Sequence, residues 1–170
     1  MLRRILPLSL FVISTAIVAH PNMAPPEISK DFQAMKQLVG TWEGTMLEGK
    51  KEVPATVVYE LTSAGTAITE KLGPGTPHEM ISVYYQEGKT IEMTHYCASG
   101  NHPRMTLKKN TGTVMEFEMT GTSGLTSAME PHMHALTLTL SDPNTLKQEW
   151  VSFDKGKKNM TAVFSFKRKI

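Results

Sequence analysis

The sequence contains a single cysteine, Cys97, among its 170 residues. Because one cysteine cannot form a disulfide within the chain, a fold held together by disulfides is excluded, and Cys97 is either a free thiol or a metal ligand. The fold must therefore be stabilised by an apolar core. The chain is long enough to form one domain with such a core.

The sequence also lacks an excess of charge of one sign. It has 18 basic and 16 acidic residues, and two of the basic residues, Arg3 and Arg4, precede the apolar segment at the N-terminus. The remaining charges balance. We therefore expect neither nucleic acid nor an anionic membrane surface as a partner.

The short motifs that identify common catalytic sites are missing as well. The chain contains no Gly-x-Ser-x-Gly segment, no P-loop and no paired carboxylates. The glycines of "GPGTPHE" (73–79) are surrounded by prolines, and no helix pattern follows them, so this segment predicts a stiff loop and not a phosphate-binding loop. Whether the protein is an enzyme is left open, and no catalytic residue is assigned.

Only one long apolar run is present, and it lies near the N-terminus. The two arginines precede "ILPLSLFVISTAIVA" (5–19), and the polar segment "HPNMAPPE" follows it. At about 15 residues the run is shorter than the roughly 20 that a transmembrane helix needs, and the pattern is typical of a secretory signal peptide. We predict a signal peptide over 1–19, cleaved after Ala19 or, failing that, after Ala24, with an uncleaved anchor as the alternative. The mature protein is then periplasmic or extracellular, with no stable membrane insertion after cleavage.

A short helix is predicted before the body of the domain. Residues 20–28 are rich in proline and are expected to form a mobile lead-in to a single domain over 29–170. In "EISKDFQAMKQLVG" the apolar residues recur every three to four positions and so share one helical face. Ser29 can cap the start of this helix and Gly40 can end it, which predicts a helix over 29–38.

The rest of the chain has the pattern of an all-β domain, in which apolar and polar residues alternate and turn residues recur about every eight to twelve positions. Ten strands are predicted: 41–48, 53–62, 66–72, 79–86, 89–97, 104–109, 113–120, 132–140, 145–153 and 159–168. Most connections have hairpin length, which favours an up-and-down meander that closes to avoid exposed edges. The predicted fold is an all-β, ten-stranded antiparallel barrel with the helix packed across one end.

The segment "LVGTWEGT" follows directly after the predicted helix and opens the first strand. It resembles the opening of lipocalin-like (calycin-type) barrels, whose Gly-x-Trp segment is matched by Gly40 and Trp42. The resemblance implies that Trp42 closes the barrel floor. The mature chain also resembles uncharacterised secreted bacterial proteins of the lipocalin-like type, which imply no activity. Nitrobindin-type haem barrels continue this opening with a glycine-rich run where the present chain has "TMLEGKKE", so haem is the less favoured cofactor.

The histidines are predicted to lie at one end of the barrel. In a meander, alternate loops lie at the same end, and five histidines are in or beside the loops of that end: His78, His95, His102, His132 and His134. The sixth histidine, His20, belongs to the lead-in. We take this clustering as the main indication of a site.

Strand alternation predicts which of these side chains face the interior. On the fifth strand, His95 and Cys97 share the more apolar face. On the eighth strand, His132 and His134 share the face that carries three leucines. All four side chains are therefore expected to point inward at the barrel mouth.

The hairpin between the fourth and fifth strands determines which residues lie opposite His95. A two-residue turn formed by Glu87 and Gly88 would place Met80 opposite His95. The same register would place His78 opposite Cys97.

A metal site can be built from these residues. The His132-x-His134 pair can bind one ion when another strand supplies a third ligand, for which His95 is preferred, with Cys97 or His78 as a fourth. Zinc suits such a mixture of nitrogen and sulfur ligands, and copper would also fit. Histidines that only hydrogen-bond to loops and water are the alternative.

Other residues at the predicted mouth are weaker candidates. Arg104 could hold a carboxylate or phosphate head group, or pair with a surface glutamate. Glu70 could act as a base or a ligand at the same rim. Trp150, Tyr84 and Tyr96 could line a pocket or belong to the core.

Three functional hypotheses follow. The first is an exported barrel that binds a small apolar or amphipathic molecule, since barrels of this size commonly hold one small ligand. Its ligand-binding residues are predicted to be His78, His95, Arg104, His132, His134 and Trp150. The second is a metal- or haem-dependent site, enzymatic or not, built on His95, His132 and His134. The third is a structural envelope protein without a ligand, and the oligomeric state is open.

Overall fold

The computed structural model describes residues 27–48, 50–122 and 124–170. The predicted signal peptide and most of the predicted lead-in lie outside the described residues. Within these ranges, no helix has the length and apolar composition needed to cross a membrane.

The described chain begins with a short helical segment. Helix α1 spans Lys30–Met35 and continues as a 3₁₀ turn over Lys36–Leu38. Ser29 caps it, since its hydroxyl accepts a hydrogen bond of 3.2 Å from the Phe32 amide. Phe32, Met35 and Leu38 are fully buried, so the apolar face predicted from the sequence packs into the core.

Ten antiparallel strands follow, and each pairs with its neighbour in sequence until β10 pairs with β1 and closes the barrel. A 3₁₀ turn over Ser63–Gly65 connects β2 to β3. The strands are β1 Gly40–Glu48, β2 Lys51–Thr62, β3 Ala67–Leu72, β4 Met80–Glu87, β5 Thr90–Tyr96, β6 Arg104–Asn110, β7 Val114–Met119, β8 His132–Asp142, β9 Thr145–Asp154 and β10 Lys157–Arg168. The predicted ten-stranded barrel with one N-terminal helix is confirmed.

Closure between β1 and β10 depends on a close approach of the two backbones. Gly44 pairs with Phe166, and a Cβ atom at position 44 would lie 1.9 Å from the Ser165 carbonyl oxygen. Real contacts of this kind are never so short. Glycine is therefore required here by space, at the seam where the first and last strands meet.

The end of the barrel nearest α1, here called the closed end, is filled. Trp42 is fully buried there, its indole N–H donates a hydrogen bond of 2.8 Å to the Leu38 carbonyl, and the Arg168 guanidinium lies 4.1 Å from the centre of its ring. Asn110 also donates a side-chain hydrogen bond of 3.0 Å to Asp31 of α1. These contacts fix the helix across this end, and Trp42 lies where the resemblance to lipocalin-like barrels implied.

Candidate functional site

The opposite end of the barrel, here called the open end, carries the histidines. His78 lies in the β3–β4 loop, His95 near the end of β5, His102 in the β5–β6 loop, and His132 and His134 at the start of β8. These loops lie at one end because the meander predicted from the sequence is the observed topology. The structure nevertheless places the five side chains in different environments.

His95 faces the barrel interior, but its cross-strand neighbour differs from the prediction. Glu87 pairs with Thr90 across the turn, and His95 therefore pairs with Ser82 and not with Met80. The turn consists of Gly88 and the residue after it, and Gly88 takes the positive φ of 60° that such a turn requires. The register is shifted by two residues, which leaves every side chain on its predicted face.

The His95 side chain is almost completely buried, with 1% of its surface exposed. Its Nδ1 atom lies 3.0 Å from the Ser82 hydroxyl oxygen, and its ring lies 4.5 Å from the Trp150 ring, tilted by 39°. The other ring nitrogen, Nε2, has no hydrogen-bond partner among the described residues. Burial lowers the pKa of His95 from 6.5 to about 4, so the imidazole is neutral near pH 7.

An apolar cavity of about 210 Å³ lies against this ring and is called the His95 cavity here. It is lined by Met46, Leu72, Met80, His95, Met133, Trp150, Met160, Ala162 and Phe164. Four of these residues also line an adjoining cavity of about 280 Å³ beneath the β3–β4 loop, together with Pro54, Ala55, Gly73, Thr76 and His78. His95, Trp150 and His78 are thus the predicted site residues that line cavity walls.

A β-bulge changes the orientation of the first residues of β8. Met133 pairs with Ser152 and Ala135 pairs with Val151, so His134 is an extra residue without a partner on β9. An extra residue reverses the alternation on one side of the bulge. Met133 consequently faces the interior, where it lines the His95 cavity.

The rings of His132 and His134 consequently lie on the outer face of the barrel. The His134 ring stacks on Phe153 at 3.8 Å, and the His132 ring lies 6.2 Å from the same ring. Phe153 is three residues from the inward-facing Trp150 and so belongs to the opposite face of β9. Partial burial and the nearby His132 lower the pKa of His134, while Glu118 opposes this effect. The prediction that both histidines point inward was wrong.

The predicted metal ligands are not brought together. Within the described ranges, no three His, Cys, Asp or Glu side chains are grouped so that they could hold a metal ion. His95 remains inside the barrel, whereas the bulge turns His132 and His134 outward. Cys97 is a partly buried free cysteine in a tight turn, where its amide donates a hydrogen bond of 3.0 Å to the Asn101 carbonyl.

Arg104 and His102 also lie outside the barrel. Arg104 is exposed and pairs with Thr94, which belongs to the outer face, and its guanidinium donates a hydrogen bond of 3.0 Å to the Tyr85 hydroxyl. Strand alternation points Arg104 away from the interior, so it does not line the cavities at the open end. His102 is exposed and stacks on the exposed Tyr96 at 6.0 Å.

A row of inward-facing polar side chains crosses four neighbouring strands beside the His95 cavity. Tyr59 pairs with Glu70, Glu70 pairs with Ser82, and Ser82 pairs with His95. All four are at most 2% exposed. The row lies between the apolar cavity and the filled core.

Two further buried side chains donate hydrogen bonds to Glu70, the carboxylate of this row. The Tyr84 hydroxyl donates to one carboxylate oxygen of Glu70, and the Gln148 amide donates to the other at 3.3 Å. The same amide nitrogen lies 2.5 Å from the Tyr59 hydroxyl, and the Trp150 indole N–H donates to the Gln148 oxygen at 3.1 Å. The polar atoms around Glu70 are therefore satisfied within the barrel, in contrast to His95 Nε2.

Burial shifts the pKa values of Glu70, Tyr59 and Tyr84 in the direction that favours their neutral forms. Burial raises the pKa of Glu70 from 4.5 to about 7, although hydrogen bonds from Tyr84, Gln148 and Tyr59 lower it in part. Burial, together with the nearby Glu70 carboxylate, raises the pKa values of Tyr59 and Tyr84 well above 10.0. The interior thus favours uncharged groups.

Sequence reasoning missed Tyr59, Ser82 and Gln148, and it placed Glu70 only at the rim. The signal was present in strand alternation. Glu70 shares a face with Ile68 and Leu72, and Gln148 shares a face with Leu146 and Trp150. A polar residue between two apolar residues of the same parity indicates a buried polar position.

No family model matches this chain, and no curated protein matches it. Among solved structures, a redesigned beta barrel is similar, with 13% sequence identity, a TM-score of 0.39, and coverage of 81% of this chain and 96% of that chain. The functional conclusion therefore depends on the geometry of this chain's own residues.

Proposed function

We propose that this protein is an exported barrel that binds a small apolar or amphipathic molecule in the His95 cavity. The observation that carries the proposal is the Nε2 atom of His95, which is buried without a hydrogen-bond partner in the described part of the chain, on the wall of an apolar cavity. An unpaired buried polar group costs free energy, about 1 to 3 kcal/mol. A ligand that bonds to it recovers that free energy.

The shape and lining of the cavity support this proposal. The interior toward the closed end is packed with fully buried side chains such as Ile91, Met93 and Leu138, whereas the open end retains about 210 Å³ beside His95. A cavity of about 150 Å³ can bind benzene. The flexible, polarizable side chains of Met46, Met80 and Met133 can adapt to the outline of a ligand.

The sequence supports two further parts of the proposal. The position of Trp42 at the closed end favours a lipocalin-like barrel, a type in which the interior commonly holds one small ligand. The basic residues and the short apolar run at the N-terminus favour export. No observation on the described residues favours the metal- or haem-dependent alternative.

The proposal is tested by titrating the purified protein with ethylbenzene while recording NMR spectra of methionine methyl groups labelled with carbon-13. Ethylbenzene is a single ring with a short tail, of a size that suits the cavity. The methyl signals of Met46, Met80 and Met133 should shift in a saturable way. The signals of Met93 and Met105, which are buried in the filled core, should not.

A pair of variants provides the matched control. Ala162→Phe places a ring inside the His95 cavity, since Ala162 lines it and pairs with Trp150. Val163→Phe makes a similar change one residue later on the outer face, where Val163 pairs with the half-exposed Leu47. Ala162→Phe should abolish binding and Val163→Phe should preserve it. Equal affinities in the two variants would contradict binding inside the barrel.

A further inference from the structure

We infer that the ligand is a small, uncharged molecule with a hydroxyl group, and that this hydroxyl binds Nε2 of His95 while an apolar body lies against the methionines of the cavity. This inference depends on the proposed function, because it names the class of molecule that the same cavity takes. It follows from three features: the charge of the wall, the hydrogen-bonding capacity of His95 and the shape of the lining.

The charge of the wall excludes an anionic head group. No Lys, Arg, Asp or Glu is among the described residues that line the His95 cavity or the adjoining cavity. Burial keeps His95 itself neutral, because its pKa is lowered to about 4. A carboxylate would lose its hydration on entering and would find no opposite charge.

The hydrogen-bonding capacity of His95 favours a hydroxyl. The Ser82 hydroxyl can donate to Nδ1 or accept from it, so Nε2 is either an N–H donor or a lone-pair acceptor. A hydroxyl on the ligand can accept a hydrogen bond from an N–H at Nε2 or donate one to a lone pair there. An ether or a ketone can only accept one, so it can bond only when Nε2 carries the proton. Of these groups, a hydroxyl is therefore the one that can bond to Nε2 in both states.

The lining suits an aromatic or compact apolar body. Met46, Met80 and Met133 present thioethers to the cavity, and sulfur makes favourable contacts with aromatic rings. The Trp150 ring lies beside His95 and offers an apolar surface next to the hydrogen-bonding atom. One polar contact at a wall that is otherwise apolar orients a ligand that has one polar end.

Four probes that share the ethylbenzene body and differ in the group opposite the ethyl chain separate the alternatives: ethylbenzene, 4-ethylphenol, 4-ethylanisole and ionised 4-ethylbenzoate. At pH 7, 4-ethylphenol should bind about tenfold more tightly than ethylbenzene, the difference expected for one buried hydrogen bond. The ether can only accept a hydrogen bond, so it should gain nothing where Nε2 is a lone pair and no more than 4-ethylphenol where Nε2 carries the proton. The carboxylate should bind more weakly than ethylbenzene.

A spectroscopic readout on the unaltered protein locates the contact. The nitrogen-15 signal of His95 Nε2 should shift strongly with 4-ethylphenol and only slightly with ethylbenzene. His95→Phe should abolish the tenfold preference while retaining ethylbenzene binding, since phenylalanine keeps the ring and loses the nitrogen. His102→Phe, a change at an exposed histidine outside the barrel, should leave the ranking intact.

The results distinguish the inference from the proposed function. If none of the four probes binds, both the proposed function and this inference fail. If ethylbenzene binds as tightly as 4-ethylphenol, or if the ether or the carboxylate binds most tightly, the cavity binds ligands but the inference on the hydroxyl class is wrong. A preference for 4-ethylphenol without a shift at Nε2 would also overturn it.

Discussion

Replacing Glu70 or His95 should reveal a pH dependence of stability that the unaltered protein conceals. Burial raises the pKa of Glu70 from 4.5 to about 7 and lowers the pKa of His95 from 6.5 to about 4. Each pH unit of difference corresponds to about 1.4 kcal/mol, so each shift is worth about 3 kcal/mol. The Glu70 shift lowers the free energy of unfolding as the pH rises, and the His95 shift raises it.

Between pH 4.5 and 7, folded Glu70 keeps a proton that the unfolded chain has released. Its contribution to stability is therefore present below pH 4.5 and is lost as the pH rises to about 7. Between pH 6.5 and 4, the unfolded chain binds a proton that folded His95 does not. Its contribution is present above pH 6.5 and is lost as the pH falls to about 4. In the unaltered protein the two contributions nearly cancel across this range.

The assay is urea denaturation at a series of pH values, with each variant compared with the unaltered protein so that the other titrating groups cancel. In Glu70→Gln the His95 contribution cancels in this comparison, and the free energy of unfolding relative to the unaltered protein should fall by about 3 kcal/mol as the pH falls from 7 to 4.5, because only the unaltered protein gains the Glu70 contribution. In His95→Gln the relative free energy of unfolding should fall by about 3 kcal/mol as the pH rises from 4 to 6.5, because only the unaltered protein gains the His95 contribution. The exposed His78→Gln is the control and should follow the unaltered protein. Flat differences, or slopes of the opposite sign, would refute the assignment of both groups as neutral inside the barrel.

The remaining predictions concern the seam, the closed end, the bulge and the N-terminus. Gly44→Ala should lower the free energy of unfolding by more than about 2 kcal/mol in urea denaturation, because its methyl group collides with backbone at the β1–β10 seam; an unchanged midpoint would contradict this account of closure. Trp42→Phe should cost about 1 to 2 kcal/mol for the lost hydrogen bond and Trp42→Ala about 4 kcal/mol for the cavity as well, and equal losses would argue against the packing described. The double change His132→Ala, His134→Ala should leave the affinity for 4-ethylphenol unchanged in the NMR titration, and a large loss would mean that these rings reach the cavity. Mass spectrometry of envelope-extracted protein should find a chain that begins at His20 or, failing that, at Pro25, and a chain that still carries Met1 would count against cleavage.

The barrel could be predicted because its determinants are local. Alternation and hairpin-length turns defined ten strands within a few residues of the observed bounds, and Ser29 marked the helix start. The β4–β5 register was off by two, because sequence does not decide which of the neighbouring residues form a two-residue turn. Since a shift of two keeps every face, the inward orientation of His95 was predicted correctly.

The site was predicted less well because it depends on contacts between distant residues. The segment "PHMHAL" alternates as a regular strand would, and nothing in it marks His134 as the extra residue of a bulge. One inserted residue was enough to exchange Met133 for the two histidines at the cavity wall. Glu70 was underestimated for a related reason, since a carboxylate is rarely placed in a core and the partners that satisfy it, Tyr84 and Gln148, come from other strands.

Intermolecular nuclear Overhauser effects between bound 4-ethylphenol and the methionine methyl groups test most directly whether the open end of the barrel is a ligand site. Binding in the His95 cavity predicts contacts from the ligand's ring protons to the methyl groups of Met46, Met80 and Met133, with the hydroxyl end nearest His95. Contacts only to methionines that do not line this cavity, such as the exposed Met129, would contradict it.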